Sequence, residues 1–147
     1  FNNWFSKNFW KLKPNTTYKR YGFVIQNLNK LDGHTPARID INDDHIEVDR
    51  NLFKKLTVPN RAMILDHEFS HNFRNIDKDN EVEADINGLE MYLATGYPYI
   101  EAIYTYTKVL GNSAGSLMRI EYIMNFCEKH KLENFKNEAW QTAGLIY

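Results

Sequence analysis

The chain has a single cysteine, Cys127, among its 147 residues. That excludes an internal disulfide and any metal site built from cysteine thiolates. Proline (4) and glycine (7) are scarce, so the chain is neither low-complexity nor collagen-like. Long apolar runs are missing as well. Ala62-Met63-Ile64-Leu65 is typical of the longest, far short of the roughly 20 residues that a membrane helix needs. No membrane insertion is expected, and no signal-like apolar segment follows Phe1-Asn2-Asn3-Trp4. A soluble protein is the expectation. The missing initiator methionine leaves open whether the chain is a piece of a longer polypeptide, and the compartment stays open too.

An apolar share of 43% and a charged share of 25% are ordinary for a globular protein. The length suits one domain, 1–147, with a core that needs no covalent staple. Aromatics reach 14%, with 9 Tyr and 9 Phe, so much of that core should be ring-lined. The net charge of −1 hides an uneven distribution: residues 1–40 sum to +5, 41–101 to −7 and 102–147 to +1. A dication would offset part of the acidic middle. The basic start is too weak for a nucleic-acid footprint, and no nucleic-acid partner is expected.

The periodicity predicts an N-terminal helical segment, 1–37, with helices at Asn2–Leu12 and Tyr18–Leu31. Arg38-Ile39-Asp40-Ile41 and His45-Ile46-Glu47-Val48-Asp49 alternate around Asn42-Asp43-Asp44 and read as a hairpin. A helical turn follows at Asn51–Leu56, then a helix over Asn60–Asn75 with Pro59 in its first turn. A helix from Glu81 to Ala94, stopped by Gly96 and Pro98, completes a central unit, 38–98. The C-terminal part, 99–147, should hold helices at Tyr99–Leu110 and Ser116–Lys131. The expected fold class is α+β and mostly helical, with a small sheet or hairpin beside the central helix.

His67-Glu68-Phe69-Ser70-His71 is an HExxH motif within the Asn60–Asn75 helix. Positions i and i+4 share a helical face, so both imidazoles can reach one ion. Glu68 is displaced by one residue, where it can take a proton from water rather than bind metal. The expected cofactor is one Zn²⁺ per chain, held by His67, His71 and a downstream carboxylate. Two candidates compete for that third position. Glu81 opens an ExxxD pattern, in which Asp85 one turn later could orient a ligand histidine through its free ring nitrogen. Asp77 stands ten residues after His67, as in an HExxHxxGxxD pattern, but Arg74 occupies the glycine position. Glu83 and Asp85 are weaker alternatives.

His67–His71 followed by Glu81–Asp85 resembles the gluzincin metallopeptidases. The form Glu-Val-Glu-Ala-Asp, with Gly88, Leu89, Tyr92, Leu93 and Gly96-Tyr97-Pro98, is similar to the minimal HtpX/CaaX-protease-like and ImmA/IrrE-like peptidases, and more weakly to domains of phages and mobile elements. The likeness spans roughly 45–102. It implies a minimal zincin-like fold with His67, His71 and Glu81 as zinc ligands, Glu68 as catalytic base, and a peptide or protein as substrate. It further implies that His45–Asp49 pairs with an extended peptide, and that an electrophilic side chain comes from later helices. Arg119, Tyr122, His130 and the tyrosines between Tyr92 and Tyr106 are the candidates. The competing expectation is a structural or interaction module, such as a virion or secretion-system component, keeping a zinc-organised fold with little turnover. Oligomeric state is left open.

Overall fold

A computed structural model describes residues 16–20, 23–28, 31, 36–40, 42, 44–110 and 113–142. The chain is α+β and mostly helical. Its strands are β1 (Thr16–Arg20), β2 (Phe23–Leu28), β3 (Ala37–Asp40) and β4 (His45–Asp49). The helices are α1 (Arg50–Lys54), α2 (Val58–Phe73), α3 (Glu81–Ala94), α4 (Tyr99–Val109) and α5 (Ala114–Thr142). The sheet order is β1-β2-β4-β3, with β2 and β4 parallel and the other two pairs antiparallel.

The expected helix at Tyr18–Leu31 is not formed. Residues Thr16, Thr17, Tyr18, Phe23, Val24 and Ile25 are β-branched or aromatic and suit a pleated surface, and β1 and β2 pair with Arg20 opposite Phe23. The parallel pairing of β2 with β4, running from Val24 opposite His45 to Leu28 opposite Asp49, is a long-range contact that overrides the apolar spacing of Ile25, Leu28 and Leu31. Within the N-terminal segment 1–37 the described residues are therefore strand or coil, and none is helical. Asn2–Leu12 lies outside the described residues. The expected hairpin of β3 and β4 is present, with Asp40 Oδ1 accepting from Asn42 N at 2.8 Å in the turn.

Except for α4, which starts after Pro98 without a side-chain cap, the helices begin where a short polar side chain covers free N–H groups. Asp49 caps α1 through Leu52 N at 3.0 Å, and its other oxygen accepts from Leu31 N, also at 3.0 Å. Thr57 caps α2 with Pro59 in the first turn, and Asn80 caps α3 through Glu83 N at 2.9 Å. Helix α5 runs well past the expected Lys131.

The core joins the inner faces of β3 and β4 to α1–α5 through buried residues that include Val48, Phe53, Met63, Leu89, Tyr92 and Ile123. Polar contacts then fix the helices around α2. Asn60 Nδ2 donates to Glu101 Oε2 at 2.9 Å and to Thr105 Oγ1 at 2.8 Å, tying α2 to α4. Arg74 donates to Asn87 O at 2.9 Å and Glu90 Oε2 at 2.7 Å, tying the end of α2 to α3. Closest of all is Gly88 on α3. A Cβ there would lie 2.8 Å from His67 N and 2.9 Å from His67 Cα, so the bare backbone of α3 rests on that of α2 at His67.

A methyl group at this point cannot be absorbed by turning a side chain, because backbone stands in its way. Gly88→Ala is expected to destabilise the fold by about 1–3 kcal/mol. The check is a urea midpoint that falls with an unchanged slope; an unaltered midpoint would contradict the close approach.

Candidate metal centre

On α2, positions 67 and 71 are one turn apart, and both imidazoles are buried. Their Nε2 atoms face each other at 3.2 Å. From the first turn of α3, Glu81 reaches across, its Oε2 3.0 Å from His67 Nε2 and its Oε1 3.3 Å from His71 Nε2. The far side of each ring is already engaged. His67 Nδ1 stands 2.8 Å from Asp85 Oδ1, and His71 Nδ1 2.6 Å from the Lys78 carbonyl oxygen. A carboxylate and a carbonyl can only accept here, so each Nδ1 is the donor and each neutral ring turns a lone pair on Nε2 inward.

With both rings neutral, two imidazole lone pairs and the two oxygens of Glu81 converge. Such a group repels itself unless positive charge sits among its atoms, whether a proton on His67 or a metal ion. Four ligands at 2.0–2.1 Å in a tetrahedron stand about 3.3 Å from one another, close to the three separations found here. Surrounding charge points the same way. With both imidazoles neutral and Glu68 ionised, Glu68, Glu81 and Asp85 oppose Arg119, while Arg38 pairs with Glu47 and Lys78 and Asp79 at the cleft offset each other. The balance is about two negative charges, which a divalent cation matches. The residues fit such an ion.

Proton equilibria register the same strain. Burial opposes the imidazolium of His67, but hydrogen bonds to Asp85 and Glu81 and the nearby carboxylate charges outweigh it, and its pKa is pushed up to about 10. His71 is raised too, its burial outweighed by Glu81 and the Lys78 carbonyl. Hydrogen bonds from both imidazoles hold Glu81 well below the usual carboxylate range. Glu68 moves the other way: burial lifts it to about 7 against the pull of His67 and His71. Its Oε1 lies 3.9 Å from His67 Nε2, beside the cluster rather than in it.

The remaining sequence candidates separate cleanly. Asp77 and Glu83 stay out of the cluster. Asp77 Oδ1 caps Asp79 N at 3.1 Å, and Glu83 accepts from the backbone N–H groups of Ile76 and Asp77. Arg74 closes α2 in right-handed geometry (φ −119°, ψ −27°), so there is none of the left-handed turn that glycine supplies in the rival pattern. Asp85 is buried behind His67. Arg119 binds it with Nε at 2.7 Å and Nη2 at 2.8 Å, and the buried Tyr106 hydroxyl lies 3.4 Å from His67 Nδ1. Tyr122 is exposed on α5, His130 pairs with Tyr99, and Tyr92 donates to Pro98 O at 2.7 Å. None of these three lines the cleft.

The cluster opens into a cleft of about 520 Å³ between β3, α2 and α4, with Arg119 at its edge. The strand expected beside it was His45–Asp49, but β4 is internal, paired on both sides. The cleft strand is β3, at the sheet edge. Asp49 N donates to Pro36 O at 2.8 Å. The antiparallel alternation that follows turns the N–H and C=O of Ala37 and Ile39 away from β4. Ala37 is buried and Ile39 half-buried. Sequence spacing carried no sign of the Lys78 carbonyl, the Gly88 contact or the approach of the Tyr106 hydroxyl to His67. Comparison with protein-family models, curated proteins and solved structures returned no match.

With its pKa at about 10, His67 holds a proton at neutral pH in the metal-free protein, and zinc must displace it. Zinc affinity should rise about tenfold per pH unit for each proton displaced and level off near pH 10, where His67 is no longer protonated. Calorimetric titration in buffers of different ionisation enthalpy measures the release; a flat pH dependence without proton release would contradict the assigned ligands.

Proposed function

We propose that this chain is a zinc-dependent endopeptidase with a minimal gluzincin-like site in a zincin-type arrangement. The observation that carries the reading is the convergence of His67, His71 and Glu81 beside a buried carboxylate, Glu68, in one open cleft. A bound zinc ion would lower the pKa of water towards neutrality and polarise a carbonyl oxygen. His67, His71 and Glu81 are the residues that would hold it. Asp85 and the Lys78 carbonyl keep both rings turned so that Nε2 faces inward.

Glu68 moves the proton. Its carboxylate accepts one from the attacking water and returns it to the leaving amine, a role suited to a group whose pKa burial has lifted to about 7. Arg119 and Tyr106 come from the later helices, as an electrophilic partner would, yet Arg119 is engaged with Asp85 and the Tyr106 hydroxyl with His67 Nδ1. They support the ligands rather than stand free for substrate.

The shape of the cleft supports a peptide as substrate. Ile39 presents backbone groups at an edge that no other described strand occupies, and an extended peptide could add to that edge as a further strand. Met63, Ile64, Val109 and Leu110 line the adjoining part of the cleft, an apolar surface suited to a bulky apolar side chain next to the scissile bond. The acidic middle of the sequence finds a use in this reading, since three of its carboxylates surround the metal position.

Purified protein should cleave peptides carrying large apolar residues, lose the activity to a chelator and regain it with zinc. Glu68→Gln should retain zinc while losing about 10²–10⁴-fold in rate, because the amide cannot accept the proton. Cleavage by Glu68→Gln at the wild-type rate, or cleavage untouched by metal removal, would overturn the mechanism.

A further inference from the structure

Helix α5 packs onto α3 and α4 through buried Ile123 and Cys127. One charged residue on it, Arg119, reaches past that apolar seam to the metal cluster. Its Nε and Nη2 grip both oxygens of Asp85, at 2.7 and 2.8 Å, and Nη2 also lies 3.4 Å from Glu81 Oε2. Asp85 and Glu81 stand one turn apart on the same face of α3, so one guanidinium spans both.

The two carboxylates have opposite needs. Asp85 is 1% exposed, and a carboxylate so deeply buried is costly unless its charge is paired and its lone pairs are filled. Its partners are His67 Nδ1 and the fork of Arg119. Glu81 has a half-exposed side chain, 53% accessible. A long side chain in that setting spreads over many rotamers unless something selects one. The planar fork of arginine suits both tasks, because its donors are fixed relative to one another.

We infer that Arg119 is a positioning residue: it holds Asp85 against His67 Nδ1 and draws Glu81 inward, so that the three donor atoms are assembled before a cation arrives. The inference rests on the metal-dependent reading of the same site. A lysine could neutralise Asp85, but it cannot present two parallel donors to that carboxylate and also reach Glu81.

The test compares zinc affinity in the full chain for Arg119→Ala, Arg119→Lys and Ile123→Ala, the last loosening the α5 seam without touching the cluster. Arg119→Ala should weaken zinc binding about 10–100-fold, with Arg119→Lys in between, and millimolar guanidinium should restore part of the loss in Arg119→Ala. Ile123→Ala should bind zinc like wild type. Nitrogen-edited NMR of the metal-free protein gives a second reading. The Nδ1 proton of His67 should exchange slowly with water in wild type and quickly in Arg119→Ala. Equal zinc affinity and equal exchange in wild type and Arg119→Ala would overturn the inference, as would an equal loss in Ile123→Ala. If wild type binds no zinc yet the His67 proton still depends on Arg119, the positioning role stands and the peptidase reading falls.

Discussion

Two helices lie backbone to backbone at one point, and the candidate site follows from it. Gly88 lets α3 rest on α2 at His67, which brings the first turn of α3 over the face carrying His67 and His71. From there Glu81 reaches both imidazoles and Asp85 falls behind the first. Lengthening that contact by a methyl group would move a carboxylate relative to two rings whose Nε2 atoms are 3.2 Å apart. The turn between the helices is held by its own polar groups. Asn75 Nδ2 donates to Asp77 O at 3.0 Å and Asn80 O at 2.9 Å, while Glu83 receives two backbone N–H groups. Asp77 and Glu83, the rival candidates for the third ligand, are instead occupied in shaping the turn.

Electrostatics and packing meet in Asp85. Burial alone would push its carboxyl towards the neutral form, yet Arg119 and His67 hold it below the usual range. An ionised Asp85 fixes the His67 tautomer, and the tautomer decides which way the nitrogen lone pair points. Each layer depends on the one outside it: guanidinium, carboxylate, then imidazole, whose inward nitrogen faces the position proposed for a cation. Glu68 lies outside this chain of bonds, which leaves its carboxylate available for proton transfer.

The parts of this arrangement that depend on local spacing were legible in the sequence. A spacing of four from His67 to His71 puts both rings on one helical face, and Glu81 opens a helix that begins at the expected residue. The absence of glycine at Arg74 argued against a turn towards Asp77, and Asp77 does lie in the loop. What depended on distant pairing was not legible. Tyr18–Leu31 carries apolar spacings compatible with a helix, but its partner is β4, reached only across a parallel register. That insertion makes β4 internal and leaves β3 at the cleft. Arg119 and Asp85 are 34 residues apart in the chain, and no pattern links them. The Lys78 carbonyl that fixes His71 is a backbone group, which no residue type announces.

The central claim is that His67, His71 and Glu81 together hold one divalent ion. X-ray absorption at the zinc edge, on protein loaded with one equivalent of zinc, reads the ligand set directly. The account predicts one ion per chain with two imidazole nitrogens and oxygen ligands, all at about 2.0–2.2 Å. Zinc that fails to bind, a sulfur ligand from Cys127, or a shell lacking the two imidazoles would contradict it.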